Sequence, residues 1–229
     1  MQLIEKRSIW LGWVLANAIG ELVGLGLTFA IGLGLFSGLS EAPGLGAALL
    51  SAALMTITGA LEGAVVGTAQ WLVLKNAIAT IPRSTWVRAT IIGAVLAWGA
   101  GSFPMTLASG SADTAAAIPE PPQALVLAMA GGVGLIAGAV LSAAQAVVLR
   151  KHVVRAWRWL PANAIAWAVG MPLIFAAIDL AQLAGTMWAS VLVLATAIAL
   201  VGALVGAIHG LVMVSFAVQA AAQRSPTTR

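Results

Sequence analysis

Apolar residues in this chain run in long blocks separated by short polar stretches. A bilayer core of ~30 Å takes ~20 apolar residues in one helix. Blocks of that length predict membrane-spanning helices at about 10–36, 45–74, 86–109, 124–149, 159–183 and 187–217. The expected fold class is all-α and integral to the membrane. Six helices form one membrane domain over 1–229, with 219–229 as a flexible polar tail. The stretch Ser111–Gln123 is Pro-rich and has no helical period, so it reads as an exposed, mobile loop. Gly170-Met171-Pro172 predicts a kink in the fifth helix, because Pro172 leaves the carbonyl of Ala168 without its donor. Pro104 predicts the same in the third.

Charge gives the orientation. Lys and Arg fall only at Lys6 and Arg7, at Lys75, Arg83 and Arg88, at Arg150, Lys151, Arg155 and Arg158, and at Arg224 and Arg229. These are the two ends of the chain and every second connection. The other connections carry Glu41, Asp113, Glu120 and Asp179 and no cation. Cytoplasmic segments are enriched in Lys and Arg, so both termini are expected in the cytoplasm of a bacterial cell, with the spans in its inner membrane. The chain is 61% hydrophobic and 8% charged, too few charges for a soluble surface. The cations flank apolar spans, which points to anionic lipid at the cytoplasmic face rather than to nucleic acid. Trp10, Trp13, Trp71, Trp86, Trp157 and Trp159 are expected at the same interface, where an indole is favoured. Lys6-Arg7 before an apolar run looks like a signal peptide, but Glu21 interrupts a run that continues to Phe36, too long for a signal core.

The helices repeat. The even ones read GALEGAVVGTAQWLVLK from Gly59, GLIAGAVLSAAQAVVLR from Gly134 and IALVGALVGAIHGLVMV from Ile198, which aligns Gln70, Gln145 and His209. The odd ones align on Trp13, Trp86 and Trp159, which brings Asn17, Thr90 and Asn163 into register. A two-span unit keeps one orientation from copy to copy, and such repeats are related by an axis along the membrane normal. Three helical hairpins, at about 8–80, 81–152 and 153–218, are therefore expected around a pseudo-threefold axis. The phrase G-x-x-x-G-x-x-Q-W-x-x-L-K from Gly63 to Lys75, with a partial echo from Gly138 to Arg150, resembles bacterial multi-pass membrane proteins of no assigned function. The resemblance implies a membrane protein and no chemistry.

Three groups of residues are candidates for function. Small residues four apart, at Gly59, Gly63 and Gly67, at Gly134, Gly138 and Ser142, and at Gly202, Gly206 and Gly210, make one smooth face per even helix. That is how helices pack closely in lipid, whereas Gly32 lies on a helix expected to face lipid. The aligned polar residues Asn17, Gln70, Thr90, Gln145, Asn163 and His209 share one depth, about a turn inside the basic belt. They form either inter-helix hydrogen bonds, each worth about 0.6 kcal/mol in a membrane, or a polar binding site on the axis. Glu21 and Glu62 lie ~20 Å from the basic belt at ~1.5 Å per residue, with no cation nearby and no counterpart in the other repeats. Intramembrane acids are costly and mark function by default. Both cannot be ionised cheaply in hydrocarbon, so at least one is expected to hold a proton at neutral pH. His152 reads as a solvated loop residue.

Enzyme motifs are missing. The chain has no G-x-S-x-G, H-E-x-x-H or Walker loop, no Cys, and two His. No catalytic activity, metal or cofactor is expected. The leading reading is binding or translocation of a small solute, coupled to protons through the acids. The alternatives are an accessory subunit of a larger membrane complex, or a pigment or lipid binder using His209, Trp98 and Trp167. A reporter inserted near Arg83 or fused after Arg229 is expected in the cytoplasm, and one near Thr114 outside. A periplasmic signal from the carboxyl-terminal fusion would rule out six spans.

Overall fold

The computed structural model of the chain describes residues 2–39, 45–110 and 121–224. Most of the expected loop 111–123, the residues Glu41, Asp113 and Glu120, and the last five residues of the tail lie outside them. Among the described residues the structure is helical, with no strand. Six long helices follow in order: α1 (Leu3–Leu39), α2 (Leu45–Ala77), α3 (Arg83–Gly110), α4 (Gln123–Leu149), α5 (Trp159–Gln182) and α6 (Met187–Arg224). A 3₁₀ turn, Ala156–Arg158, leads into α5. The expected starts of α2, α4, α5 and α6 fall within one residue of these. Helix α1 begins about two turns earlier than its apolar block. Helices α3 and α5 stay helical through Pro104 and Pro172.

Among the described residues, five helices, α1, α2, α4, α5 and α6, are long and apolar enough to cross a membrane. They are apolar all round, as a membrane span is. Leu15, Ile19, Ile57, Leu61, Ile136, Ile165, Leu192, Leu200 and Leu211 all face outward. A soluble protein does not leave so much contiguous apolar surface open. Lipid is the solvent this surface fits.

Each helix packs on its neighbours in sequence, and α6 packs on α1, so the six close into a ring. Helix α1 packs on α2 and on α6 to much the same extent. Glycines on the even helices let α2 and α3, α4 and α5, and α6 and α1 come close. A methyl group at Gly63 would stand 2.8 Å from the Ile91 Cα on α3. At Gly138 it would stand 2.6 Å from the Asn163 carbonyl oxygen on α5, and at Gly202 it would stand 2.7 Å from the Asn17 carbonyl oxygen on α1. In all three places backbone meets backbone with no room for a side chain. Van der Waals contact of this kind replaces the hydrophobic drive that lipid removes. Each glycine face thus grips the odd helix that follows it around the ring. Gly131 extends the α4 seam, and the Ala168 carbonyl that Pro172 frees lies against it. Gly32, expected to face lipid, is instead buried.

Leu at Gly63 or Gly138 must push two backbones apart. Forced overpacking of this kind costs about 1–3 kcal/mol. Leu at Gly132, an exposed position where an added methyl meets nothing within 4 Å, is the matched control on α4. Thermal unfolding in detergent should fall for the first two variants and hold for the third. Equal midpoints for all three would remove the packing argument.

Candidate functional site

The bundle closes on three tryptophans. Trp13 of α1, Trp86 of α3 and Trp159 of α5 are fully buried. Their ring centroids stand 6.5, 5.9 and 6.5 Å apart around the triangle. The edge-to-face and tilted angles suit the ring quadrupoles. This corrects the expectation that these three indoles sit at the membrane–water interface. Of the six placed there, Trp157 is exposed, and Trp10 and Trp71 are half-buried.

The same pair of bonds is made at each tryptophan. The indole N–H donates to the aligned polar residue of an even helix: Trp13 to His209 Nδ1 at 2.8 Å, Trp86 to Gln70 Oε1 at 3.3 Å, and Trp159 to Gln145 Oε1 at 2.8 Å. The tryptophan's carbonyl accepts from the residue four positions on: Asn17 Nδ2 at 2.7 Å, Thr90 Oγ1 at 3.0 Å and Asn163 Nδ2 at 3.0 Å. Further bonds join the units. Gln70 Nε2 donates to Asn17 Oδ1 at 2.9 Å, and Gln145 Nε2 donates to Thr90 Oγ1 at 3.0 Å and Gln70 Oε1 at 3.2 Å. The bonds therefore run both within the expected hairpins and between them.

His209 takes the place of a glutamine in this scheme. An indole N–H only donates, so Nδ1 must be the bare nitrogen and Nε2 must carry the proton. The imidazole packs between Trp13 and Trp159, with centroids at 5.9 and 5.1 Å. Its Nδ1 lone pair is therefore engaged and is not free for a metal. Among the described residues no three His, Cys, Asp or Glu gather to hold a metal ion.

The second candidate lies one to two turns farther from the basic belt. Glu21 on α1 and Glu62 on α2 are 4% and 6% exposed. They stand on α1 and α2, which pack against each other. Two glycines admit them: a methyl at Gly24 would stand 3.2 Å from the Glu62 Cα, and one at Gly202 would stand 2.9 Å from the Glu21 Cβ. Glu62 Oε2 accepts the Trp98 indole N–H at 2.8 Å. Glu21 Oε2 has no partner. Beside them lies an apolar cluster of Leu25, Trp167, Ile174, Ile198, Val201 and Val205, with Trp98 at its edge. Charge interactions are strong in such a medium. A buried oxygen without a partner is costly, and it is satisfied by a proton, a cation or an ordered water.

Sequence reasoning found Glu21, Glu62 and the aligned polar set, but it missed the tryptophan hub. The signal was present, since three aligned acceptors buried in a helix bundle need three donors and the aligned indoles supply them. The sequence offers Trp98 only as part of a pigment or lipid site, and the structure makes it the donor to Glu62. In the turn between α4 and α5, His152 is not simply solvated: its Nδ1 lies 2.8 Å from Thr80 Oγ1. Burial, and then the neighbouring Lys151 ammonium, hold its imidazole below the ordinary histidine range. Asp179 accepts from the Gln123 amide, tying the start of α4 to the end of α5.

No family model, curated protein or solved structure matches the chain.

The hub predicts an asymmetric mutational result. Gln at position 209 restores an acceptor for Trp13, so His209→Gln should unfold within about 1 kcal/mol of the parent, the scale of one exchanged hydrogen bond. Leu removes the acceptor and strands a buried N–H, which costs about 1–3 kcal/mol. Equal loss of thermal stability in the two variants would refute the assignment of His209 as a hydrogen-bonding surrogate.

Proposed function

We propose that the protein binds a small cation or protonated solute inside the membrane through Glu21 and Glu62, and passes it across. The proposed body is a bacterial inner-membrane protein of six spans in three tandem hairpins, with both termini in the cytoplasm. The sixth span is α3. It carries Arg83 and Arg88 at its start, and its support is its place in the ring between α2 and α4. The one-sided cations support the orientation. The threefold bonding of Trp13, Trp86 and Trp159 supports the repeat.

The observation that carries the functional reading is the unpartnered Oε2 of Glu21, buried on a helix that packs, at Gly24, directly against Glu62. A pair that only pinned helices together would use its oxygens on each other or on the backbone. Glu62 is instead held by Trp98, which fixes one carboxyl and leaves the other with spare acceptor capacity. A carboxylate pair with no Lys or Arg in its spans selects for positive charge, since a cation or proton supplies what the side chains do not. The tryptophan hub and its amides would then form the barrier on the cytoplasmic side, and the small faces of α2, α4 and α6 would let the helices shift. The acids occur in one repeat alone, as expected of a site added to a scaffold that is otherwise threefold.

Purified protein in liposomes under an imposed pH gradient, with sodium or potassium present, tests this. Wild type should dissipate the gradient faster than empty liposomes. Glu21→Gln with Glu62→Gln should unfold at a similar temperature and lose the flux, because an amide keeps shape and loses charge. Flux that is equal in wild type, the double variant and empty liposomes would overturn the reading.

A further inference from the structure

Helices α4 and α5 are both long and apolar enough to cross a membrane, so the turn that joins them, residues 150–158, lies at a membrane surface. Nine residues there carry Arg150, Lys151, Arg155 and Arg158, and no acid occurs between Arg150 and Ile178. The turn is firmly built. Val153 and Ala156 are buried in the core that holds the three tryptophans. The amides of His152 and Val153 both donate to the Leu149 carbonyl at 2.9 Å, and His152 is braced to Thr80 on the neighbouring connection. Arg155 holds a left-handed backbone, φ 59°, which an arginine rarely adopts. Together these features keep open a cleft of about 560 Å³, walled by Arg150, Lys151, His152, Arg155, Trp157 and by Gln223 from the end of α6.

We propose that this cleft binds the phosphate headgroup of an anionic phospholipid. The cations have no acid of their own in the turn, and guanidinium groups suit phosphate oxygens. Two large side chains identify the lipid as the source of that phosphate. Val154 and Trp157 are 61% and 66% exposed beside the cations. Apolar surface next to a basic cluster, at the level of the headgroups, is how a segment rests on anionic lipid. A soluble phosphate compound would leave both side chains in water. The site is separate from the acid pair, and it stands whether or not the protein transports anything.

Native mass spectrometry and thermal unfolding of delipidated protein in neutral detergent test the assignment, with phosphatidylglycerol, phosphatidylcholine and inorganic phosphate as the added probes. Phosphatidylglycerol should be retained and should raise the unfolding temperature, and phosphatidylcholine should not. Arg155→Gly suits the left-handed backbone while removing the cation. Combined with Lys151→Ala it should weaken phosphatidylglycerol retention by roughly tenfold or more. Lys75→Ala, at a cation that stands over Trp71 outside this cleft, should not. Trp157→Ala should weaken the lipid effect as well. Equal retention of the two lipids, or retention unchanged in the Lys151 and Arg155 double variant, would overturn the proposal. Inorganic phosphate matching the lipid's effect, with Trp157→Ala silent, would overturn the lipid as the source.

Discussion

An N–H group removed from water must find an acceptor, and in a bilayer nothing but protein can supply one. Three indoles at the closed end of this bundle carry such groups. Each is met by a side chain on a different helix, and each tryptophan's carbonyl takes a second bond from its own helix. The tryptophans position the amides, and the amides orient the tryptophans. Both need the helices closer together than side chains of ordinary size allow, and the glycine seams permit that distance. Removing any one of the three elements, indole, acceptor or glycine, leaves the other two without their geometry.

Much of this was legible along the chain. Helix bounds were readable because apolar length in a membrane has one interpretation. The register of Gln70, Gln145 and His209 was readable because each lies at a fixed count from the small-residue faces. The role of Trp13, Trp86 and Trp159 was misread for a physical reason. An indole near a basic belt satisfies the same pattern whether its N–H meets water or a buried acceptor, and the side of the helix it occupies decides between them. Helices that are apolar all round give no periodic signal for that side. The same degeneracy put Gly32 toward lipid when it is buried. Which neighbour each glycine face would choose, the helix before it or the one after, also depends on three-dimensional closure and left no mark in the sequence.

The acids break the scheme. Where Glu21 and Glu62 stand, the other repeats have Ala94, Trp167, Ala137 and Val201. One hairpin therefore bears polar groups at a depth where the rest of the bundle is apolar, and it bears them with an oxygen left over. A scaffold whose threefold hydrogen bonds gather at the tryptophans can accept such an insertion one to two turns away without disturbing the hub.

The closing contact between α6 and α1 has a consequence in time. Trp86 and Trp159 find their acceptors 16 and 14 residues away, but Trp13 bonds a residue 196 positions later. At a synthesis rate of about 5–20 residues per second, α1 waits roughly 10–40 s in the bilayer before α6 arrives. Throughout that interval its indole, and the backbone face that Gly202 and Gly206 will cover, have no permanent partner. Helix α1, made before the other five, is thus the last of the six to be completed. The nascent chain is exposed to non-native pairing at the Trp13 indole for longer than at either equivalent indole in the other two repeats.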